Sequence, residues 1–302
     1  MVSVIVNIFM CNVCVRWLVL TYLGAGHRVM RSFGMKLRGI GIALRCLSEE
    51  FNFSIQGRRF AFLPSCAGAY CLMPAGLWNE LETHLFFRNV LPRIGHPVTF
   101  IDVGASVGEM AIDVAMFVGV EKVIAFEPEP RSAEAIRKSA LLNTATNIDV
   151  INKAVGDYCG RISFLVDERS PTSAHVEGVG DPEIHSAGNV EIVTLDSLNL
   201  NTRSQVCMLI DVEGFEPSVM RGGARLIRAY RPLIIFEFNQ TSKKHFSLDE
   251  IRSILGVGYI IYRLTQDGWL SADLQNTWNW VAVHNDSPWS NCCKTILTQD
   301  GE

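Results

Sequence analysis

The sequence predicts an α/β fold: a doubly wound, mostly parallel sheet of seven strands, preceded by an N-terminal extension. From Val98 onward, short apolar runs of strand length alternate with helical patterns. A glycine-rich turn, Gly104–Gly108, separates the first strand from its helix. The last two runs, Tyr259–Leu264 and Asn279–His284, follow one another as strands, which is typical of a closing antiparallel pair.

Length and composition predict one main domain and constrain the partners. The chain has 302 residues and a formal net charge of −4, and this lack of a basic excess argues against nucleic-acid binding. Its nine cysteines lack the spacing of a disulfide framework, which predicts reduced thiols and a cytoplasmic location. The predicted segments are an apolar and basic extension (1–50), a hairpin and helix that pack on the core (51–97), the core domain (98–288) and a C-terminal tail (289–302).

The N-terminal extension is long and apolar enough to raise the question of a membrane span. Between Val2 and Tyr22 the only charged residue is Arg16. A central arginine costs about 3 kcal/mol on insertion scales, and the polar Asn7 and Asn12 weaken the gain from the apolar residues further. We therefore expect a weak membrane association or a dispensable segment rather than a true span.

The first strand, Val98–Val103, leads into the turn and helix, and the second apolar run, Val123–Phe126, ends at Glu127. Glycines allow the backbone to approach a ligand, and an acid at the end of the second strand can bind both ribose hydroxyls. A carboxylate at Asp102 would repel a pyrophosphate but suits the ammonium group of an amino-acid moiety, which favours S-adenosylmethionine (SAM) over a dinucleotide. The predicted cofactor contacts here are Asp102, Gly104, Ala105, Ser106, Gly108, Glu127 and Pro128.

The third strand, Ile148–Ile151, should end at the same crevice, so Asp157 or a nearby backbone group is expected to bind the adenine unless this segment is a plain turn. A polar loop follows from Asp167 to Gly188 and contains His175 and His185, which are candidate bases on a substrate lid. On the helix predicted over Trp78–Leu91, the polar residues Glu80, Glu82 and His84 are expected to form a solvated face.

Carboxylates end the next two predicted strands. Asp211 lies at the end of Val206–Val212, and Glu237 lies inside the apolar run Leu233–Phe238. A charge in such a run needs a partner or a chemical role. Asp211 is the first candidate for a base or hydroxyl orienter, and Asp211 also belongs to the predicted cofactor set. Glu213 and Glu237 are the next candidates, with buried structural hydrogen bonding as the alternative for both.

Seven blocks of this chain, in order, resemble the FkbM family of SAM-dependent methyltransferases, which have the Rossmann-like class I fold. The resemblance implies methyl transfer to a hydroxyl of a sugar, glycolipid or polyketide-type metabolite, and it adds Asn143 and Ala154 to the cofactor contacts. Ser106 and Ser139 stand where the family usually carries Asn. The blocks are Phe100–Gly108, Ala125–Pro130, Leu142–Asn143, Ala154–Asp157, Thr194–Leu198, Leu209–Glu216 and Arg231–Pro232 leading to Glu237.

Three alternatives remain open at the level of sequence. The carboxylates suit a divalent cation, but no ligand set can be read from their spacing, so no metal site is predicted. The chain could also be a non-catalytic, membrane-tethered module of the same fold. Finally, Gly104-x-Ser106-x-Gly108 matches the nucleophile elbow of a serine esterase, in which Asp211 and either His245 or His284 would complete the triad.

Overall fold

A mixed sheet of eight strands forms the centre of the protein, in the order β13-β12-β14-β11-β10-β3-β4-β5. The five strands from β11 to β5 are parallel, whereas β14 runs antiparallel to both β11 and β12. This order confirms the predicted doubly wound fold, and the short β13 adds an eighth strand. The strands are β3 (Val98–Val103), β4 (Val120–Phe126), β5 (Ile148–Ile151), β10 (Gln205–Ile210), β11 (Leu233–Glu237), β12 (Tyr259–Leu264), β13 (Leu270–Ser271) and β14 (Asn279–His284).

The computed structural model describes residues 50–63, 78–165, 175–176, 186–239, 242–273, 275 and 277–298. The predicted extension, with its apolar stretch 2–22, lies outside these ranges except for residue 50, and most of the polar loop with His185 lies outside them too. Every helix within these ranges is too short or too polar to span a bilayer.

Helices cover both faces of the sheet because successive strand residues point to opposite sides. Phe100 on β3 packs with α1, α2, α3 and α7 on one face, and its neighbour Ile101 packs with α4, α5 and α6 on the other. The helices are α1 (Leu81–Val90), α2 (Glu109–Ala115), α3 (Pro130–Leu142), α4 (Glu216–Gly222), α5 (Ala224–Tyr230), α6 (Leu248–Leu255) and α7 (Pro288–Lys294), with 3-10 turns at Leu91–Arg93, Leu195–Leu198 and Ser242–Lys244.

The helix predicted over Glu216–Ala229 is two helices, with the break at the glycine pair Gly222–Gly223. A Cβ atom at Gly222 would lie 1.8 Å from the carbonyl oxygen of Gly156. The backbone after β5 therefore passes directly against α4, and no residue larger than glycine fits at this contact.

Two smaller sheets flank the centre. One is the predicted hairpin of β1 (Phe51–Ile55) and β2 (Arg58–Phe62), which packs against α3. The other has the order β6-β9-β7-β8, where β6 is Ala154–Val155, β7 is Gly160–Leu165, β8 is His175–Val176 and β9 is Ser186–Val193. The strand predicted over Val190–Leu198 therefore divides into the end of β9 and a 3-10 turn, which the Thr194 side chain caps by accepting from the Ser197 N–H.

The segment predicted as a C-terminal tail is part of the core up to residue 298. Helix α7 buries Trp289 completely, and its indole N–H donates to the Val206 carbonyl over 2.9 Å. Cys292 and Cys293 are free thiols buried in the same cluster, as expected for cysteines packed as small apolar residues. The prediction of a tail was wrong because a seven-residue helix is too short to show apolar periodicity.

Candidate active site

The turn after β3 lies between the ends of β4 and β10. The N–H groups of Gly104 and Ala105 both donate to the Phe126 carbonyl, over 3.0 and 2.9 Å. Gly104 has φ +87°, and a Cβ atom there would lie only 1.9 Å from the Asp211 carbonyl oxygen. A side chain at position 104 is therefore excluded, which leaves a bare backbone surface at the carboxyl edge of the sheet, where ligands bind in doubly wound folds.

Glu127 holds this turn in shape. One carboxylate oxygen accepts the Ser106 N–H over 2.8 Å, and the other accepts the Glu129 N–H over 2.8 Å. Burial raises the pKa of Glu127 to about 8. Each oxygen has a second lone pair, so the same carboxylate can still accept hydrogen bonds from ribose hydroxyls.

Asp102 lies on β3 beside Ala125 of β4, so it shares this region with Glu127. It is 2% exposed, and burial raises its pKa to about 7. The Ala111 N–H of α2 donates to the carboxylate, whereas the buried Oδ2 atom has no hydrogen-bond partner in the described ranges. This unpaired buried oxygen lies next to the bare backbone of the turn. The ammonium group of a bound amino-acid moiety would give it a hydrogen-bond partner.

The other residues of the turn differ in exposure. Ser106 is exposed and has φ +51°, and Gly108, with φ +85°, precedes the first turn of α2. Ala105 is buried, and Pro128 is half-buried after Glu127. Asn152, which was missed, donates from its amide to the Glu127 and Pro128 carbonyls over 2.7 and 3.0 Å and so fixes the loop that carries the acid. Its position directly after the third strand was the available signal.

Asn143 lies away from this crevice, which contradicts its predicted role. It follows the last residue of α3, and α3 begins at the crevice and runs back to the opposite edge of the sheet. Its amide binds the hairpin instead: Oδ1 accepts the Arg59 N–H over 2.9 Å, and Nδ2 donates to the Arg59 carbonyl.

Ala154 and Asp157 lie beside α4. Ala154 is buried and pairs with Ile192 of β9. Asp157 is exposed, and its Oδ1 accepts the Ser218 hydroxyl over 2.9 Å. These contacts tie the chain after β5 to α4 and give Asp157 a structural partner, so its contact with adenine stays a prediction.

The three predicted catalytic carboxylates come together. Asp211 follows β10 and Glu237 ends the neighbouring strand β11, while Glu213 occupies the turn between β10 and α4 with φ +54°. One carboxylate oxygen of each residue lies within 4.8 Å of the others. We call Asp211, Glu213 and Glu237 the carboxylate cluster.

Two further acids lie next to the carboxylate cluster. Glu216 is fully buried, and its Oε1 accepts the N–H groups of Val212 and Gly214 over 3.1 and 3.2 Å. Glu80 accepts from Asn279, which is paired with Glu237 across β14 and β11. Burial and these negative charges raise the pKa of Asp211 well above its ordinary value and that of Glu237 to about 9.

The polar side of α1 is a buried network rather than the predicted solvated face. His84 is 0% exposed, its Nδ1 lies 2.8 Å from Asp113, and its Nε2 lies 3.1 Å from Glu109. Its ring stacks on Trp78 with centroids 4.0 Å apart. Burial lowers the pKa of His84, but the two carboxylates outweigh it and raise the pKa above its ordinary value.

The esterase alternative does not fit the position of His284. Asn279 of β14 pairs with Glu237 at the carboxyl edge, and His284 is five residues further along the strand, roughly 17 Å away. His284 therefore lies at the opposite edge from Ser106 and cannot activate it. His175 and His185 are the candidate bases predicted in the polar loop. The backbone of His175 is described, in β8, whereas His185 lies outside the described residues.

Comparison with known proteins identifies a family over the central part of the chain. The Methyltransferase FkbM domain matches residues 102–261. No curated protein sequence matches the chain. One similar solved structure is the methyltransferase FkbM from Methylobacillus flagellatus KT, with 20% identity over 67% of this chain and a TM-score of 0.46; this chain spans only 48% of that protein.

Other similar structures are more distant in sequence. The precorrin-6y C5,15-methyltransferase from Geobacter metallireducens GS-15 is 11% identical over 68% of this chain and 89% of its own, with a TM-score of 0.38. M. jannaschii TYW2, solved in complex with AdoMet, is 12% identical over 82% of this chain and 88% of its own, with a TM-score of 0.40.

Proposed function

Since this chain belongs to the FkbM family of SAM-dependent methyltransferases, we propose that it methylates a hydroxyl oxygen of a sugar, glycolipid or polyketide-type metabolite. The observation that carries this proposal is the contact between Gly104 and the Asp211 carbonyl, which brings the predicted cofactor turn and the carboxylate cluster together at the carboxyl edge of the sheet.

The turn is the proposed cofactor site. Gly104, Ala105, Ser106 and Gly108 would provide the backbone surface, and Asp102 and Glu127 would bind the amino-acid and ribose ends. When bound, SAM supplies a methyl group on a positively charged sulfur, which an oxygen nucleophile can attack. The half-buried Pro128 would line the same side of the crevice.

Asp211 is the proposed group that orients the acceptor hydroxyl and accepts its proton. It follows β10 directly, and its own N–H donates to the Val103 carbonyl over 3.0 Å, so its backbone is fixed against the strand that leads into the turn. Glu237, held at Oε1 by the Asn239 amide, and Glu213 would position the acceptor. Fixing an oxygen in line with the methyl group can contribute several kcal/mol to the lowering of the barrier.

The charge of the crevice narrows the acceptor class. Asp211, Glu213 and Glu237 lie within 4.8 Å of one another, and Glu80 acts on the same region. The same acids that raise the pKa of Asp211 and Glu237 would also disfavour a phosphate or carboxylate placed beside them. A neutral, hydroxyl-rich acceptor such as a glycoside fits better than an anionic one.

Calorimetry with S-adenosylhomocysteine and a methylation assay test the proposal together. We expect wild type to bind the product and to methylate neutral glycosides, with the product detected by mass spectrometry as a gain of one methylene unit. Asp211→Asn should retain binding and lose most turnover, whereas Asp149→Asn, an exposed site on β5, should retain both.

Three results would oppose the proposal in different ways. If wild type fails to bind S-adenosylhomocysteine, the cofactor assignment is wrong. If it binds but methylates none of a broad panel of hydroxyl acceptors, the alternative of a non-catalytic module is favoured. Equal turnover by Asp211→Asn and wild type would remove the proposed role of this residue.

A further inference from the structure

We propose that Asp211, Glu213 and Glu237 bind a divalent cation through their carboxylate oxygens, at the carboxyl ends of β10 and β11. The site itself is inferred from these residues alone. Its use in catalysis, as the group that holds the acceptor oxygen, rests on the proposed methyltransferase function.

The spacing of the oxygens suits one ion. Two ligands on opposite sides of a cation lie at most twice the metal–oxygen distance apart, which is about 4.2 Å for Mg²⁺ and about 5 Å for Ca²⁺. One oxygen from each of the three residues lies within 4.8 Å of the others. Oxygens at this separation are in the range that side-chain movement can bring onto one ion, and the movement needed is smaller for Ca²⁺ than for Mg²⁺.

Burial provides an independent reason. Glu237 is 8% exposed, and its Oε1 accepts from Asn239, whereas its buried Oε2 has no hydrogen-bond partner among the residues that the structure describes. A buried carboxylate oxygen without a hydrogen-bond partner is unfavourable, and more so when the group is charged. A cation bound in the cluster would satisfy this oxygen.

A second orphaned oxygen lies next to the cluster. Glu216 is fully buried, and its Oε1 accepts two N–H groups of the turn that carries Glu213, whereas within the described part of the chain Oε2 has no hydrogen-bond partner. The charged side chains with the largest electrostatic effect on the pKa values of Asp211 and Glu237 are all carboxylates. Hard divalent cations prefer such an all-oxygen environment, and they stabilise acids that otherwise repel one another.

The cation would complement the proposed function. A hydroxyl oxygen bound to a divalent cation loses its proton more readily, and the ion fixes its position. The contact between Gly104 and Asp211 would then place this oxygen beside the cofactor turn.

Manganese titration of the chelator-treated full chain tests the site, with calorimetry or water-proton relaxation as the readout. We expect one Mn²⁺ per chain in wild type and in Asp149→Asn, and affinity at least tenfold weaker in Asp211→Asn and Glu237→Gln. Ca²⁺ and Mg²⁺ should compete for the same site. An absence of Mn²⁺ binding up to millimolar concentrations, or equal affinity in all four proteins, would overturn the proposal.

A second measurement uses wild type alone, in case the substituted proteins do not fold. Fe²⁺ bound at the site with ascorbate and peroxide should cleave the backbone near residues 211–213 and 237, and cleavage confined to other segments would overturn the proposal. S-adenosylhomocysteine binding, measured in parallel, separates the two hypotheses. If the protein binds S-adenosylhomocysteine but not Mn²⁺, only the cation site is rejected. If it binds Mn²⁺ but not S-adenosylhomocysteine, only the cofactor site is rejected.

Discussion

Replacing Gly104 by alanine should damage the cofactor turn and the carboxylate cluster together. The new Cβ would lie 1.9 Å from the Asp211 carbonyl oxygen and 2.9 Å from its carbonyl carbon, far inside van der Waals contact, and both atoms belong to backbone. A left-handed conformation costs an L-residue about 1–2 kcal/mol, and overpacking of this kind costs a further ~1–3 kcal/mol. We therefore expect the free energy of unfolding to fall by about 2–5 kcal/mol.

Gly119→Ala is the matched control. Gly119 has φ +92°, close to the +87° of Gly104, but a Cβ atom there would have no atom of the described residues within 4 Å. The control should therefore lose only the conformational contribution, about 1–2 kcal/mol, and retain its affinity for S-adenosylhomocysteine.

Urea denaturation gives the free energy of unfolding of the two variants, and calorimetry gives their affinity for S-adenosylhomocysteine. Gly104→Ala should bind at least tenfold more weakly than Gly119→Ala, because relief of the overlap must displace the turn or Asp211. If both variants lose equal stability and Gly104→Ala binds S-adenosylhomocysteine like wild type, then Gly104 does not pack closely against the Asp211 carbonyl.

Two further predictions concern buried contacts that support the fold. Because its folded pKa is raised above that of the unfolded chain, His84 contributes stability that is complete below about pH 6.5 and is lost as pH rises through the folded pKa. The difference in unfolding free energy between wild type and His84→Gln should therefore shrink between pH 6 and pH 9 in urea titrations, and a constant difference would contradict the ion pairs with Glu109 and Asp113. Trp289→Ala should lower the free energy of unfolding by about 3–5 kcal/mol, because it empties a fully buried site and leaves the Val206 carbonyl without its donor. A truncation before Pro288 that unfolds at the wild-type denaturant concentration would show that α7 is dispensable.

The central sheet could be predicted because its strands are short apolar runs whose order along the chain determines a doubly wound topology. The residues at the carboxyl edge followed from the same rule: Asp102, Gly104, Glu127, Asp211 and Glu237 each lie in or directly after a parallel strand. The end of a strand can be recognised from neighbouring residues in the chain, so a single sequence is enough to find the residues that lie there.

The errors concern contacts between residues distant in sequence. Asn143 lies in a block that resembles the family, but only the length and direction of α3 show that it reaches the far edge. His84 was assigned to solvent because helical periodicity reveals one apolar stripe and does not reveal a second buried side. Its partner Asp113 is 29 residues away, and no sequence spacing links the two.

The hydrogen bonds of Glu127 have a consequence for how this site can change. The Glu127 carboxylate that would bind the nucleoside also holds the cofactor turn in place, because it accepts hydrogen bonds from the N–H groups of Ser106 and Glu129. Any substitution that alters nucleoside preference at this position must also rebuild the loop. We therefore expect substitutions that change ligand preference to occur at the exposed Ser106 or at residues across the site from Glu127, and not at position 127 itself.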